Sequence, residues 1–270
     1  MDIRSYIKTK KKIIDKTLDE YLPSARTKPA ELHEAIKYSV FSGGKRIRPV
    51  LTIACFEACG GKGAAILPVA CAVELIHTYT LVHDDLPCMD DDDFRRGRLS
   101  CHKKFGEAIA LLTGDSLLTL GFYLLSGTGN VKVVNEVAKA IGSRGTIGGQ
   151  AADTLSYSAK RMTHKFDLDY IARNKTAALF EVACKAGAMS AKADKKKIRA
   201  SGDFGRDLGM TFQIVDDLID KDGYVKIYGT ARAEKMARFF NNKAKGSLKI
   251  FGGPGKRLSE ISELILNRKS

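Results

Sequence analysis

Apolar residues recur at spacings of three and four over 64–83, 107–125, 132–142, 177–191 and 204–220. That period places them on one face of an α-helix. The same stretches are rich in Ala, Leu, Glu and Lys, which favour helix. No stretch sustains an alternation of apolar and polar residues, and no Asn-Gly or Asp-Gly pair joins two such stretches. Asp222-Gly223 follows an acidic helical run and reads as its stop. Short breaks at Gly43-Gly44, Gly60-Gly61, Ser126 to Asn130, Gly145 to Gly149 and Gly252 to Gly255 suit helix-to-helix turns. No long linker and no internal repeat divides the chain. The pattern predicts one all-α domain over residues 1–270.

At 44% hydrophobic residues in 270, the chain can bury a sizeable core. Lys plus Arg number 45 against 31 Asp plus Glu, a net charge of +14 that invites an anionic partner. Nucleic acid, a membrane surface and a phosphorylated small molecule all qualify. The lysines are scattered and no nucleic-acid recognition motif appears, which argues against nucleic acid. No apolar run approaches the roughly 18 residues of a membrane span, so no integral membrane segment is expected. The first sixteen residues carry charge without an apolar run behind it, unlike a secretion signal. Cys55, Cys59, Cys71, Cys88, Cys101 and Cys184 form no CxxC pair and sit mostly in apolar stretches. They read as free, buried or partly buried thiols in a reducing compartment, the cytoplasm.

An apolar run over 71–82 leads straight into an acidic segment in which Asp84, Asp85, Asp90, Asp91, Asp92 and Asp93 crowd six carboxylates together. Charge runs are usually solvated loops, but this one closes an element whose apolar residues predict burial. Pro87 lacks an N–H and clashes with the carbonyl of His83, so the helix should end just after the Asp pair and let Asp90 return toward Asp84. Mg²⁺ is the natural counter-ion, being hard and usually held by one or two carboxylates plus substrate phosphates. Arg95 and Arg96 follow at once. Guanidiniums bind phosphate in a fork, and beside Mg²⁺ they make a diphosphate site. The plainer alternative is a set of surface ion pairs.

A second acidic motif lies at 212–222, where Asp216 and Asp220 share a helix face with Gln213 among Phe212, Ile214, Val215, Leu218 and Ile219. Carboxylates on so apolar a helix need a cation or hydrogen bonds. A polar stripe on an amphipathic helix is the alternative. Lys45, Arg46 and Arg48 follow the Gly43-Gly44 turn, which lets backbone and cations approach an anion closely. The spacing is not that of a Walker A loop. His77 stands seven residues, about two turns, before Asp84; alone it reads as well as a core histidine. Lys175-Thr176 opens another apolar run, and Gln150 and Asp153 end a Gly-rich turn.

Together these motifs resemble the short-chain trans-prenyl diphosphate synthases, the farnesyl and geranylgeranyl diphosphate synthases of bacterial type. The resemblance rests on GGKRIRP at 43–49, ELIHTYTLVHDDLPCMDDDDFRRG at 74–97, CHKKFGEAIALLTGD at 101–115, GGQAAD at 148–153, KTAALF at 175–180 and FQIVDDLID at 212–220. It spans most of the chain in the family's order. It implies the isoprenoid synthase bundle of helices around a central apolar cavity, usually a homodimer. It also implies condensation of isopentenyl diphosphate with allylic diphosphates, dimethylallyl and geranyl, with three Mg²⁺ ions for which Mn²⁺ can substitute. Carried over, Asp84, Asp85 and Asp90 match the first set of metal ligands, and Asp216, Asp217 and Asp220 the second. Arg95 and Lys175 match the groups that hold the allylic diphosphate; Lys45, Arg48, His77 and Arg96 match those that hold isopentenyl diphosphate. Thr176 and Gln213 match polar groups facing the developing cation. Tyr79, with Thr80 beside it, matches the position that sets chain length. It lies five residues before Asp84, and a ring there implies a farnesyl product; the alternative places Tyr79 as a core aromatic against another helix.

The chain departs from the family in one respect. Relatives carry roughly twenty more residues after the second acidic motif, with a Lys that helps bind diphosphate; here DGYVKIYG at 222–229 follows almost directly and looks like the next helix. The tail 267–270 keeps basic residues that could cover the isopentenyl diphosphate site; a solvated tail is the alternative. A terpene cyclase shares fold and first motif but needs no second diphosphate site, against Lys45, Arg48 and His77. A non-catalytic partner subunit would have lost acidic residues that are intact here.

Overall fold

The computed structural model describes residues 2–158 and 165–268. They group into two compact units, Met1–Val50 with Leu67–Asn130, and Leu51–Ile66 with Val131–Ser270. The first holds α1 (Ile3–Tyr21), α2 (Ala30–Val40), the start of α3 (Ile47–Ala58), α4 (Leu67–Asp84), a small hairpin of β1 (Phe94–Arg95) and β2 (Arg98–Leu99), α5 (Cys101–Phe105) and α6 (Glu107–Gly127). Its core is α4, buried along Val69–Ile76 and packed lengthwise on α6. The helices close up at Gly121, where a Cβ would meet Ile76 Cγ1 at 2.8 Å. Arg46 is buried, not presented at a surface. Its guanidinium donates to Asp15 at 2.8 Å, Glu74 at 2.7 Å and the Val40 carbonyl at 2.6 Å, tying α1 and α4 to the turn before α3. Removing Arg46 would leave the buried Glu74 carboxylate without its cation.

The second unit holds α7 (Val131–Ile141), α8 (Thr146–Ser158), α9 (Lys165–Ile171), a π-helical stretch over Ala172–Ala177, α10 (Ala178–Ser190), α11 (Lys195–Asp220), α12 (Tyr224–Tyr228), α13 (Thr230–Ser247) and α14 (Lys256–Leu266). The long α11 packs on α10, α13 and the π-helical stretch. It starts nine residues before the apolar pattern at 204, because the Asp194 side chain caps it by accepting the Lys197 N–H at 2.9 Å. At the other end, left-handed Lys221 closes the helix and Asp222-Gly223 stops it, as expected. Only Lys221–Gly223 separate α11 from α12.

The all-α expectation holds, with four corrections of detail. Strands do occur, in the β1–β2 hairpin with Phe94 opposite Leu99 and Arg95 opposite Arg98. Its two turn residues, Arg96 at φ 53° and Gly97 at φ 73°, take the positive φ of a type I′ turn, with Arg where Asn or Asp is commoner. The break expected from Gly145 to Gly149 ends sooner, since α8 already begins at Thr146. Gly149 lies inside that helix because the backbone of Asn174-Lys175 passes against it. Two helical segments, Ala64–Asp84 and Glu107–Gly127, are long and apolar enough to span a membrane by length and composition, although no such run was expected; the first is mostly buried inside the protein. Cys88 is exposed, because it lies on the turn after α4.

Candidate active site

The end of α4 builds the first acidic motif. The helix stops at Asp84, inside the Asp pair, with a last bond from Asp85 N–H to the Leu81 carbonyl. The chain then turns back, and Asp90 N–H donates to the Asp84 carbonyl at 2.9 Å. The backbone thus joins the two residues that the proline break was expected to bring together. Asp85 and Asp92 share one cation, Arg95, and Asp91 and Asp93 share another, Lys103. Asp85 is buried and accepts from Arg95 Nε at 2.9 Å and from its Nη2; the same guanidinium reaches Asp92 at 2.9 Å. Burial raises the Asp85 pKa, and the Arg95 hydrogen bond opposes it. Asp91, Asp93 and His102 present ligand atoms within 4.8 Å of one another, but the Lys103 ammonium sits 2.8 Å from Asp93 and 3.9 Å from Asp91.

A basic cluster gathers around His77, two turns earlier on α4. Arg48 donates to His77 Nε2 at 3.1 Å. Burial, then the charges of Arg48 and Arg96, hold His77 well below its usual pKa, so the imidazole is neutral and accepts. Arg96 donates to the Gly43 carbonyl at 2.5 Å, and its guanidinium lies where a Cβ on Gly44 would be, 2.7 Å from Nη1. Gly44 at φ 112° meets both demands, of backbone and of space. Lys45 is exposed beside this turn. Tyr79 is 5% exposed, its ring edge-on to His83 with centroids 5.7 Å apart, and its hydroxyl has no hydrogen-bond partner among the described residues. His83 in turn meets α6 through the Leu111 carbonyl at 3.0 Å. Thr80 donates to the His77 carbonyl.

In the second unit, Thr176 donates to Gln213 Oε1 at 2.7 Å, and Gln213 Nε2 donates to Asp217 Oδ1 at 2.8 Å. Asp217 Oδ2 accepts the Tyr224 N–H at 2.8 Å, and the Tyr224 hydroxyl donates to Asp169 at 2.7 Å. Burial raises the Asp217 pKa to about 6. Both its oxygens are therefore bound within the protein. Asp216, on the half-open side of α11, pairs with the Arg268 guanidinium, which also donates to the Phe212 carbonyl at 2.9 Å and lies 3.9 Å over the Phe212 ring. Asp220 is exposed at the helix end. Lys175 Nζ is 2.6 Å from Asp153 Oδ2, and both amide atoms of Gln150 are buried without a partner among the described residues. Of the basic tail, Lys269 lies outside the described residues.

Sequence reasoning missed three residues. Gly223, at φ 47°, leaves room for Asp217, whose Cγ would lie 2.6 Å from a Cβ there. Gly149 lets α8 reach the Lys175 backbone. Tyr224 fixes Asp217. The glycines carried a signal, a Gly directly beside an acidic or a catalytic-type motif, but were read only as breaks.

The fit of a divalent cation follows from the donors. Asp84 and Asp90 are hard carboxylates linked through one backbone turn, and Asp216 and exposed Asp220 stand one helical turn apart at the end of α11, so each pair has the donor chemistry for Mg²⁺.

Residues 29–233 match the Polyprenyl synthetase family. The farnesyl diphosphate synthase of Geobacillus stearothermophilus is 36% identical over 99% of this chain and 98% of its own. The geranylgeranyl diphosphate synthase of Cyanophora paradoxa is 35% identical over 100% and 97%. A solved apo structure, an FPP/GFPP synthase from Zymomonas mobilis, matches with a TM-score of 0.91 at 33% identity over 98% of each chain. The chain belongs to the polyprenyl synthetase family.

Proposed function

We propose that this short-chain prenyl diphosphate synthase condenses isopentenyl diphosphate with dimethylallyl and geranyl diphosphates, head to tail, and releases mainly farnesyl diphosphate. The observation that carries the reading is on α4, which ends at Asp84 in the Asp84–Asp90 acidic turn and, about two turns earlier, presents His77 to Arg48 of α3. One suits a metal-bound diphosphate and the other a second anion. A cyclase, with one diphosphate to handle, has no use for both.

Mg²⁺ at the acidic groups supplies positive charge that stabilises the departing diphosphate. Asp84 and Asp90 would hold that charge at the first motif, and Asp216 and Asp220 at the second. Lys175 and Arg95 orient the allylic diphosphate as its carbon–oxygen bond breaks and the electron pair leaves with oxygen. Arg48, Arg96 and Lys45 grip isopentenyl diphosphate, with His77 as a neutral acceptor that fixes the Arg48 fork. The Thr176 and Gln213 oxygens offer lone pairs to the allylic cation. The double bond of isopentenyl diphosphate attacks that cation, and the proton lost afterwards goes to the released diphosphate. Apolar helix faces keep water from the cation.

Tyr79 supports the farnesyl assignment, being a buried ring five residues, about 7.5 Å of helix, before Asp84. The relatives named for geranylgeranyl diphosphate favour the twenty-carbon alternative. Chromatography of the reaction products decides. Wild type should give mainly the fifteen-carbon product, and Tyr79→Ala should lengthen it; a mainly twenty-carbon wild-type product, or no change in Tyr79→Ala, refutes the assignment. A homodimer fits the exposed Leu111, Leu112 and Tyr123 on α6, and light scattering at known concentration tests it.

A further inference from the structure

A polar cavity of about 350 Å³ lies in the second unit, walled by α7, the turn before α8, the π-helical stretch, α10 and α11. Its size is that of a small-ligand site. Five cationic side chains line it: Lys139, Arg144, Arg173, Lys185 and Arg206. Only two acidic ones do, Glu136 and Glu181. Those two are spent on the lysines, with Lys185 at 2.9 Å from Glu181 and 3.6 Å from Glu136, and Lys139 at 3.9 Å from Glu136. Arg206 is spent on Asp203, at 2.8 Å, behind the wall. Arg144 and Arg173 have no ion-pair partner among the described residues, and both are exposed at the cavity. Two unpaired guanidiniums facing one concavity are a fork for phosphoryl oxygens. The wall adds the start of α8, a 13-residue helix whose first residue, Thr146, follows Gly145 of the lining, so its N-terminal dipole adds to the attraction. The apolar lining is limited to small side chains, Ala140, Ala178 and Val182, which leaves nothing to hold a long hydrocarbon.

We propose that this cavity binds a compact oligophosphate, through Arg144 and Arg173 with Lys185 and Lys139 around them. Arg173 lies two residues before Lys175. A π-helix turns a little under 90° per residue, so the two point to nearly opposite faces, Lys175 toward Asp153 on α8 and Arg173 into the cavity. A ligand here therefore clamps the reverse side of the segment that carries Lys175 and Thr176.

The test is isothermal titration of the full chain with inorganic diphosphate, and separately with ADP, at 0.15 M salt in EDTA. Four proteins are compared: wild type, Arg144→Ala/Arg173→Ala, Arg48→Ala, and Lys8→Ala/Lys12→Ala, which removes equal charge from exposed positions of α1. The Arg144/Arg173 variant should bind at least tenfold more weakly or lose one binding event, while the other two keep it. Tighter diphosphate than ADP assigns free diphosphate as the occupant, and the reverse assigns a nucleotide. Equal weakening in the Lys8/Lys12 variant, undiminished binding in the Arg144/Arg173 variant, or loss of the event in Arg48→Ala overturns the proposal. Circular dichroism of each variant confirms that it is folded.

Discussion

Gly149→Ala tests how packing sets the chemistry. A Cβ on Gly149 would lie 2.1 Å from the Lys175 backbone nitrogen and 2.7 Å from both the Asn174 carbonyl carbon and Lys175 Cα, against at least 3.4 Å for ordinary contact. These are backbone atoms and cannot rotate away, so α8 and the π-helical stretch must part by about 1.3 Å. Overpacking of this kind costs roughly 1–3 kcal/mol. In a chain of this size that lowers Tm by about 2–10 °C. The same displacement pulls Lys175 from Asp153, now 2.6 Å apart. Since a shift of about 1 Å can cost a hundredfold in rate, kcat/KM for the allylic diphosphate should fall roughly ten- to a hundredfold. Steady-state kinetics with each substrate varied in turn, plus calorimetry, measures both effects. Gly127→Ala, with nothing within 4 Å of its Cβ, is the control and should match wild type. If Gly149→Ala keeps wild-type Tm and wild-type kcat/KM, close approach at Gly149 is not what positions Lys175.

Three further perturbations separate the roles of neighbouring residues. Asp84→Asn should lower kcat by several orders of magnitude in Mg²⁺-dependent assays, whereas Asp85→Asn, which takes away the buried partner of Arg95 and leaves it Asp92 alone, should show mainly in lowered thermal stability; equal kcat losses would erase the distinction. Arg48→Ala should raise KM for isopentenyl diphosphate about ten- to a hundredfold and that for the allylic substrate far less, as for the loss of one charge-assisted contact; equal effects on both would misplace the second anion site. His77 is held neutral well below 6.5 in the folded protein, while in the unfolded chain it takes a proton as pH falls through that value. Its contribution to stability is thus present above about pH 6.5 and lost below it. The stability gap between wild type and His77→Gln, from urea melts, should shrink from pH 8 to pH 5; a gap that widens toward acid contradicts the assigned charge state.

The helices were legible where apolar spacing is regular, as in α4, α6, α7, α10 and the second half of α11. The polar first half of α11 was not, because its helicity depends on the Asp194 cap rather than on an apolar stripe. Gly148 and Gly149 were misread as a break because the same residue serves turns and close helix approach, and only the tertiary neighbour tells which. The Arg96-Gly97 hairpin escaped because it lacks the commoner Asn or Asp. In the site, the clustering of acid and base was legible, and so was the return of Asp90 to Asp84, since Pro87 dictates it locally. Which partners the carboxylates take was not. Asp85 pairs with Arg95, ten residues on, Asp216 with Arg268, and Asp217 with Gln213 and the Tyr224 backbone, choices made by folding and not by spacing.

The most direct test is incubation of the purified protein with radiolabelled isopentenyl diphosphate, geranyl diphosphate and Mg²⁺, followed by acid treatment and extraction of labelled prenyl alcohols. Label should pass into an acid-labile fifteen-carbon product, stop on adding EDTA and resume with excess Mg²⁺. Absence of any elongated product with Mg²⁺ present, or a cyclised hydrocarbon formed from geranyl diphosphate alone, contradicts chain elongation as the activity.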